Sequence, residues 1–411
     1  MWETIRIAEL GSVVTGKTPS SNNLEHFGED YPFITPTDMD AGRIVHTERG
    51  ISQEGYIKFS RQILPRRSIC FVCIGTVGKI CLTTEKSLTN QQINSVVVDT
   101  KRHDPFFVYY LLSTYAEAVK RIAGGTATPI VNKTLFENIE VLVPNLSTQR
   151  KIGAILSLYD DLIENNLRRM RILEAMAQNL YCEWFVKFRF PGHRSTLFVD
   201  SCLGKIPEGW RLNRILEFGD VITGKTPSKA NSDFFGDDVP FVKIPDMHGN
   251  SFILGTGDRL SLAGAKSQIK KTIPPGAICV SCIGTIGVVS ITTENCQTNQ
   301  QINSVVLTRE QFREFLFFRL KEAKKDLENL GANGATMGNV NKGKFESLAV
   351  ITPSDDLVAE YHDFADPLFS EMRALSQKNG ALRRTRDLLL PRLISGELDV
   401  SDLDIYIGES A

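Results

Sequence analysis

Gly11-Ser-Val-Val-Thr-Gly16-Lys17-Thr18 matches, letter for letter, the pattern of a loop that cradles nucleotide phosphates, and Gly219-Asp-Val-Ile-Thr-Gly224-Lys225-Thr226 matches it again. Such a loop needs a buried strand before the glycines and, after them, a helix whose N-terminal amides hold phosphate. Here Pro19 or Pro227 follows directly. The segments beyond, PSSNNLEHFGEDYP and PSKANSDFFGDDVP, have no helical apolar period. An open polar loop is expected instead of nucleotide binding. A P-loop NTPase is the rival reading, and ATP affinity lost on Lys17→Ala would restore it.

Other catalytic constellations fail. His26, His46, His103, His193, His248 and His362 keep no metal-ligand spacing. Pro245-Asp246 has no Glu-x-Lys at short range to complete a nuclease-like acidic cluster, and no dinucleotide-type glycine turn is present. Cys70-x-x-Cys73 and Cys279-x-x-Cys282 have a zinc or redox spacing. Both lie in β-like runs, ICFVCIG and ICVSCIG, where positions i and i+3 point to opposite sheet faces, so small core residues are expected. The chain reads as non-catalytic, with no catalytic residue, metal site or cofactor of its own.

What remains is polar loop chemistry used twice. The first set is Lys17, Thr18, Ser20, Ser21, Asn22 and Asn23; Asn90, Gln91 and Gln92; and Thr126, Thr128, Asn132 and Lys133. The second is Lys225, Thr226, Ser228, Asn299, Gln300, Gln301, Thr336, Asn341 and Lys342. Amides give bidentate contacts to adenine, Lys reaches guanine or phosphate, and Ser or Thr serves either. Taken singly, each residue is better explained by loop backbone satisfaction. As a duplicated set they point to nucleic-acid readout. The Arg168-Arg169-Met170-Arg171 and Arg383-Arg384-Thr385-Arg386 clusters suit either phosphate contact or a solvated helix face.

The elements that must position these residues form an internal repeat. VTGKTPS at 14–20 returns as ITGKTPS at 222–228, IGTVG at 74–78 as IGTIG at 283–287, and TNQQINSVV at 89–97 returns unchanged at 298–306. The offset is 208 at Gly16 and Gly224 and 209 from Thr89 and Thr298 onward, so one residue is inserted between Met247 and Ser261. A period this long means two whole domains. Each opens with a short apolar-polar segment and a Gly/Ser/Asn/Pro loop. In the first copy, β-like runs follow at 31–34, 68–74, 79–84 and 93–98, then a helix over 105–121, matched by 310–330. A last strand ends at Pro144 or Pro353. Each domain reads as α+β.

A long amphipathic helix follows each domain. Leu156, Tyr159, Ile163, Met170, Leu173, Ala177, Leu180 and Trp184 step by three and four, interrupted by Asn166. Tyr361, Ala365, Leu368, Met372, Leu375, Leu382, Leu389 and Leu393 do the same around Asn379, with Arg386 in the row. Two such stripes are expected to pack on each other as an antiparallel coiled coil, Asn166 and Asn379 meeting to fix the register. Pro367 predicts a kink or a late helix start. The segmentation is 1–146 and 210–354 as target-reading domains, 147–190 and 355–396 as helices, 191–209 as linker and 397–411 as tail. A rod of some 40 to 55 Å would hold two pseudo-two-fold related readers about one turn of B-DNA apart, over an unread spacer.

The 411 residues suggest about two to four domains, with 42% hydrophobic and 23% charged residues. A formal charge of −1 excludes a strongly basic, free-standing nucleic-acid binder, though not DNA binding within an assembly. No run of about 18 apolar residues and no signal-like start is present, so a cytoplasmic location is the default expectation.

The chain resembles the specificity subunits of type I restriction-modification systems. The likeness spans nearly the whole length. It rests on the domain-helix-domain-helix order and on Gly-Lys-Thr-Pro-Ser opening each domain. It rests also on Gln149-Arg150-Lys151-Ile152 through Leu173-Glu174-Ala175-Met176-Ala177 to Trp184-Phe185, on Ile206-Pro207-Glu208-Gly209-Trp210, and most specifically on Leu390-Pro391-Arg392-Leu393-Ile394-Ser395-Gly396-Glu397-Leu398. The resemblance implies two target-recognition domains, each reading half of a bipartite double-stranded DNA site. It further implies helices that dock two methyltransferase subunits carrying S-adenosylmethionine, and restriction-translocase subunits that add ATP- and Mg-dependent cleavage. The shared motifs suggest related half-sites in inverted orientation. A protein scaffold with no DNA role is the third reading.

Overall fold

The computed structural model describes residues 2–39, 42–44, 47–124, 129–201, 204–332 and 338–405. The chain forms two compact units, residues 1–163 with 381–411, and residues 164–380. Each unit therefore takes part of both long helices, Leu146–Tyr181 and Asp355–Ile394.

In the first unit the strands are β1 Glu3–Arg6, β2 Gly11–Thr15, β3 Phe27–Ile34, β4 Arg43–Ile44, β5 Arg49–Ile51, β6 Ile69–Val72, β7 Ile80–Thr83, β8 Leu88–Thr89, β9 Ile93–Val98 and β10 Glu140–Val143. They make a five-stranded sheet in the order β2-β9-β6-β7-β4, a three-stranded sheet β5-β3-β8, and the pair β1-β10. Alternation along β6 builds a core on each face of the larger sheet. Ile69, Phe71 and, just beyond, Cys73 enter the core shared with the helices, while Cys70 and Val72 enter a second, smaller core. The two cysteines thus face opposite ways, as their spacing predicts. Burial pushes the Cys73 and Cys282 thiols up to about 11 and Cys279 up to about 12, which keeps them protonated.

The second unit repeats the larger sheet with strands Gly219–Thr223, Ile302–Leu307, Ile278–Ser281, Val289–Thr292 and Phe252–Ile253 in the same order. Its smaller sheet gains a fourth strand, Thr272–Ile273. The helix expected over 105–121 breaks at Tyr115 into Pro105–Thr114 and Ala116–Ile122. The 191–209 linker is ordered in part. It carries the hairpin Phe198–Ser201 with Gly204–Pro207 and closes on Trp210, whose ring meets Phe185, Phe188 and Phe190.

The long helices pack antiparallel. In the second unit, Asn166 Nδ2 donates to Asn379 Oδ1 at 2.8 Å, Arg169 meets Glu371 at 2.7 Å, and Tyr361 donates to the Ala177 carbonyl at 3.0 Å. Partner numbers fall as the first helix rises. Both asparagines are buried, so their mutual bond avoids an unpaired polar group in the seam. In the first unit, Asp160 accepts from Arg386 and from the Tyr110 hydroxyl. The late start expected at Pro367 is overturned: the second helix starts at Asp355 and continues to Ile394. Burial of Tyr361, Ala365, Phe369 and Met372 on either side of the proline offsets its missing hydrogen bond.

Candidate nucleic-acid interface

The phosphate-loop pattern is not a loop at its start. Gly11 to Thr15 is β2, paired with β9, and the residues after Gly16 turn into a short 3-10 turn at Leu24–His26 with no helix to receive a phosphate. The glycines have another cause. A Cβ on Gly16 would lie 2.1 Å from the Asn90 carbonyl oxygen, and one on Gly224 would lie 2.1 Å from that of Asn299. Their absence lets the polar loop lie against the Asn90–Gln92 turn. Backbone bonds lock it there: Lys17 N–H donates to Thr89 O at 2.8 Å, and Lys225 N–H to Thr298 O at 2.9 Å. The nucleotide-binding reading is set aside on this geometry.

The predicted polar residues now divide. Asn90 and Gln92 bond each other, Asn90 Nδ2 to Gln92 Oε1 at 2.8 Å and Gln92 N–H to Asn90 Oδ1 at 3.1 Å. Asn299 and Gln301 repeat this at 2.9 and 3.1 Å. These amides build the turn. Asn132 and Asn341 cap short helices by accepting the N–H of Leu135 at 2.8 Å and of Lys344 at 3.0 Å. Lys133 and Lys342 pair along those helices with Glu137 and Glu346. Asp246 holds a turn by accepting from Lys243 N–H and Gly257 N–H.

Gln91 and Gln300 are different. Both are exposed, and each amide oxygen accepts a hydroxyl hydrogen, from Thr18 and from Thr226 respectively. Each amide oxygen is thereby engaged, which leaves the NH2 group of an exposed side chain as its remaining donor. Beside these pairs Lys17, Ser20 and Asn22 are exposed in the first unit, as are Lys225 and Ser228 in the second. Lys17 Nζ lies 5.9 Å from the Phe59 ring centre, while in the second unit Gln268 donates to the Lys225 carbonyl at 2.8 Å. The same loop is therefore braced differently in each copy. Thr126, Thr128 and Thr336 lie outside the described residues.

Of the arginine clusters, Arg169 and Arg386 are ion-paired to Glu371 and Asp160, while Arg168, Arg171, Arg383 and Arg384 stay exposed. Sequence inspection missed Arg66, Arg67 and Arg150, which line one cavity of the first unit. Their signal was Arg66-Arg67 where the repeat has Pro275-Gly276. It also missed Glu314, fully buried, with His362 Nδ1 at 2.6 Å. Glu314, His362 and Asp366 offer atoms within 4.8 Å of one another, but Arg313 stands 3.9 Å from Glu314 and 3.7 Å from Asp366, so the group closes as an ion-pair network.

Two copies of one α+β domain, each packed with part of both long helices and carrying the same Thr-Gln hydrogen bond, define a duplicated-domain fold. The model of the type I restriction modification DNA specificity domain matches residues 1–173 and 207–366. The chain belongs to this family of type I restriction-modification specificity subunits. It is 34% identical over 356 residues to the type I restriction enzyme HindI specificity subunit of Haemophilus influenzae, covering 72% of this chain and 77% of that one. It is 25% identical to the MjaIX specificity subunit of Methanocaldococcus jannaschii over 98% and 94% of the two chains. The solved S subunit from M. genitalium shares the fold, with a TM-score of 0.62 at 14% identity and 96% coverage of both chains. Among the described residues no helix is long and apolar enough to cross a membrane.

Proposed function

We propose that this chain is the non-catalytic reader of a cytoplasmic restriction-modification complex, each unit reading one half of a bipartite DNA site. The observation that carries it is the duplicated Lys17-Thr18-Gln91 and Lys225-Thr226-Gln300 constellation on a shared framework. An exposed amide donor beside a lysine suits major-groove edges, where purine N7 and O6 and thymine O4 accept. The paired helices set the unread spacer and dock two methyltransferase subunits. Exposed Leu158 and Leu162, one turn apart in the first unit, and Ile172 and Met176 in the second, are apolar footholds for them. S-adenosylmethionine belongs to those subunits, and ATP and Mg to the restriction subunits. Because TNQQINSVV is largely spent on turn and strand, likeness of the half-sites rests on Lys, Thr and Gln alone.

Adenine-methylation mapping in cells with the cognate methyltransferase, with and without this chain, tests the proposal. The expected result is a bipartite methylated target that vanishes when the chain is removed. An unchanged methylome would refute it and favour the scaffold reading.

A further inference from the structure

In the second unit the polar loop that opens with Lys225 and Thr226 lies along a short helix, Leu262–Ser267. At one end the Gln268 side chain, just past the helix, donates to the Lys225 carbonyl at 2.8 Å. At the other, Ser261, which caps the helix, donates its N–H to the Phe234 carbonyl at 3.1 Å. Loop and helix therefore run side by side in opposite directions. Gln268 Nε2 also donates to Gln297 Oε1 at 2.8 Å, and Gln297 Nε2 donates to the Ala265 carbonyl at 3.0 Å, so the helix is tied as well to the strand Cys296–Thr298 that leads into Gln300. These bonds hold the helix next to the Lys225-Thr226-Gln300 constellation.

This ground is rich in cations. The helix and the turn after it carry Lys266, Lys270 and Lys271, and the loop carries Lys225 and Lys229. All but the half-buried Lys271 are exposed, and none has an ion-pair or ring partner among the described residues. The carboxylates nearby in sequence are Asp233, Asp237 and Asp238, and Asp238 is already engaged, accepting Leu262 N–H at 2.9 Å. The first unit keeps the same acidic positions as Glu25, Glu29 and Asp30, and adds Glu54 where the second has Ala263. Its cations are fewer. Ser21, Ile57 and Gln62 stand in place of Lys229, Lys266 and Lys271, while Arg61 matches Lys270 and Lys58 replaces Ser267. Lys17, the counterpart of Lys225, lies over the ring of Phe59, which takes the place of Gln268. The positive excess beside the loop is therefore larger in the second unit.

We propose that Lys229 and Lys266 grip backbone phosphates bordering the groove that the second unit reads, contacts that the first unit, with Ser21 and Ile57, does not make. The proposal rests on the DNA-recognition function above. The major groove is about 12 Å wide, so an element lying alongside a loop that reaches base edges meets the phosphates at the groove's rim. Exposed ammonium groups with no internal partner displace condensed counterions there without first breaking an ion pair.

The test is the salt dependence of binding of the full chain, with its methyltransferase, to a duplex carrying the mapped target. Lys229→Ser and Lys266→Ala should each weaken binding severalfold and lower the log-log salt slope by about 1. Discrimination between matched and mismatched duplexes should stay as it was, since phosphate contacts carry no sequence information. Lys205→Ala, on the linker hairpin, is the control and should leave the slope unaltered. Unchanged slopes in the first two variants would overturn the grip while leaving DNA recognition intact, and an equal fall in Lys205→Ala would overturn it in favour of a diffuse charge effect. Unchanged slopes together with lost methyltransferase co-purification would overturn it in favour of an acidic protein surface. A wild-type complex that binds no duplex would sink the recognition function and this grip together.

Discussion

Gln149 and Val358 occupy corresponding places at the start of the two long helices, as do His103 and Phe312 at the domain surface beneath them. In the first unit the pair is polar. Gln149 Nε2 donates to His103 Nδ1 at 3.2 Å and to the Pro144 carbonyl at 2.8 Å, while its Oε1 accepts from Asp104 N–H at 3.0 Å. In the second unit Val358 and Phe312 are buried among apolar side chains, and the rings of Tyr181, Trp184 and Phe185 gather around Tyr361. Ile152 replaces Tyr361 in the first unit. A hydrogen-bonded polar seat and an apolar seat therefore support the same helix. What the fold demands at this place is filled volume, not particular residues.

Emptying the aromatic seat should have the largest effect. Tyr361→Ala removes a fully buried ring and is expected to cost about 3–5 kcal/mol, read as a lower urea midpoint; a loss below 1 kcal/mol would mean that the cluster is not what holds the helix. Next come the shared close approaches. In Gly16→Ala and Gly224→Ala the added Cβ would lie an equal 2.1 Å from a carbonyl oxygen, so each should cost up to about 3 kcal/mol and abolish recognition by its own unit, visible as loss of target methylation. Unequal penalties would show that the two loops are not the same device.

The polar seat offers a sharper comparison. Gln149→Val alone strands Asp104 N–H and the imidazole, at about 2 kcal/mol. Adding His103→Phe should recover most of that loss, because the apolar pair of the second unit is then complete; failure to recover would show that the seats differ in shape as well as polarity. The smallest effect concerns pH. The hydrogen bond to buried Glu314 raises the His362 pKa above its ordinary 6.5, with burial opposing. A raised histidine contributes stability that is complete below about pH 6.5 and fades as pH climbs through the folded value. His362→Gln should flatten the melting temperature across that window; the first unit has Gly153 at the matching position.

Much of the fold was legible because repetition reveals itself without coordinates. The offset that changes from 208 to 209 marks two domains, and the three-four stripe with a lone asparagine in each helix anticipates the Asn166–Asn379 bond. The site was legible only in part. Asn90, Gln92, Asn132 and Asn341 have the residue types of base readers, and the structure spends them on a turn and two caps. Composition cannot separate these uses, because an amide that satisfies backbone and one that faces a groove offer the same atoms. Pro367 misled for a related reason: helix propensity is local, while the burial that overrides it comes from residues distant in sequence.

The sequence by itself determined that the chain is a duplicated α+β domain with two register-matched helices, since periodicity and repetition are properties of the string. Tertiary structure alone decided that the phosphate-loop pattern begins as a strand, that Gln91 and Gln300 pair with Thr18 and Thr226, and that Arg66, Arg67 and Arg150 line one cavity. Each depends on which groups meet across gaps of dozens of residues, and a one-dimensional pattern does not encode that proximity.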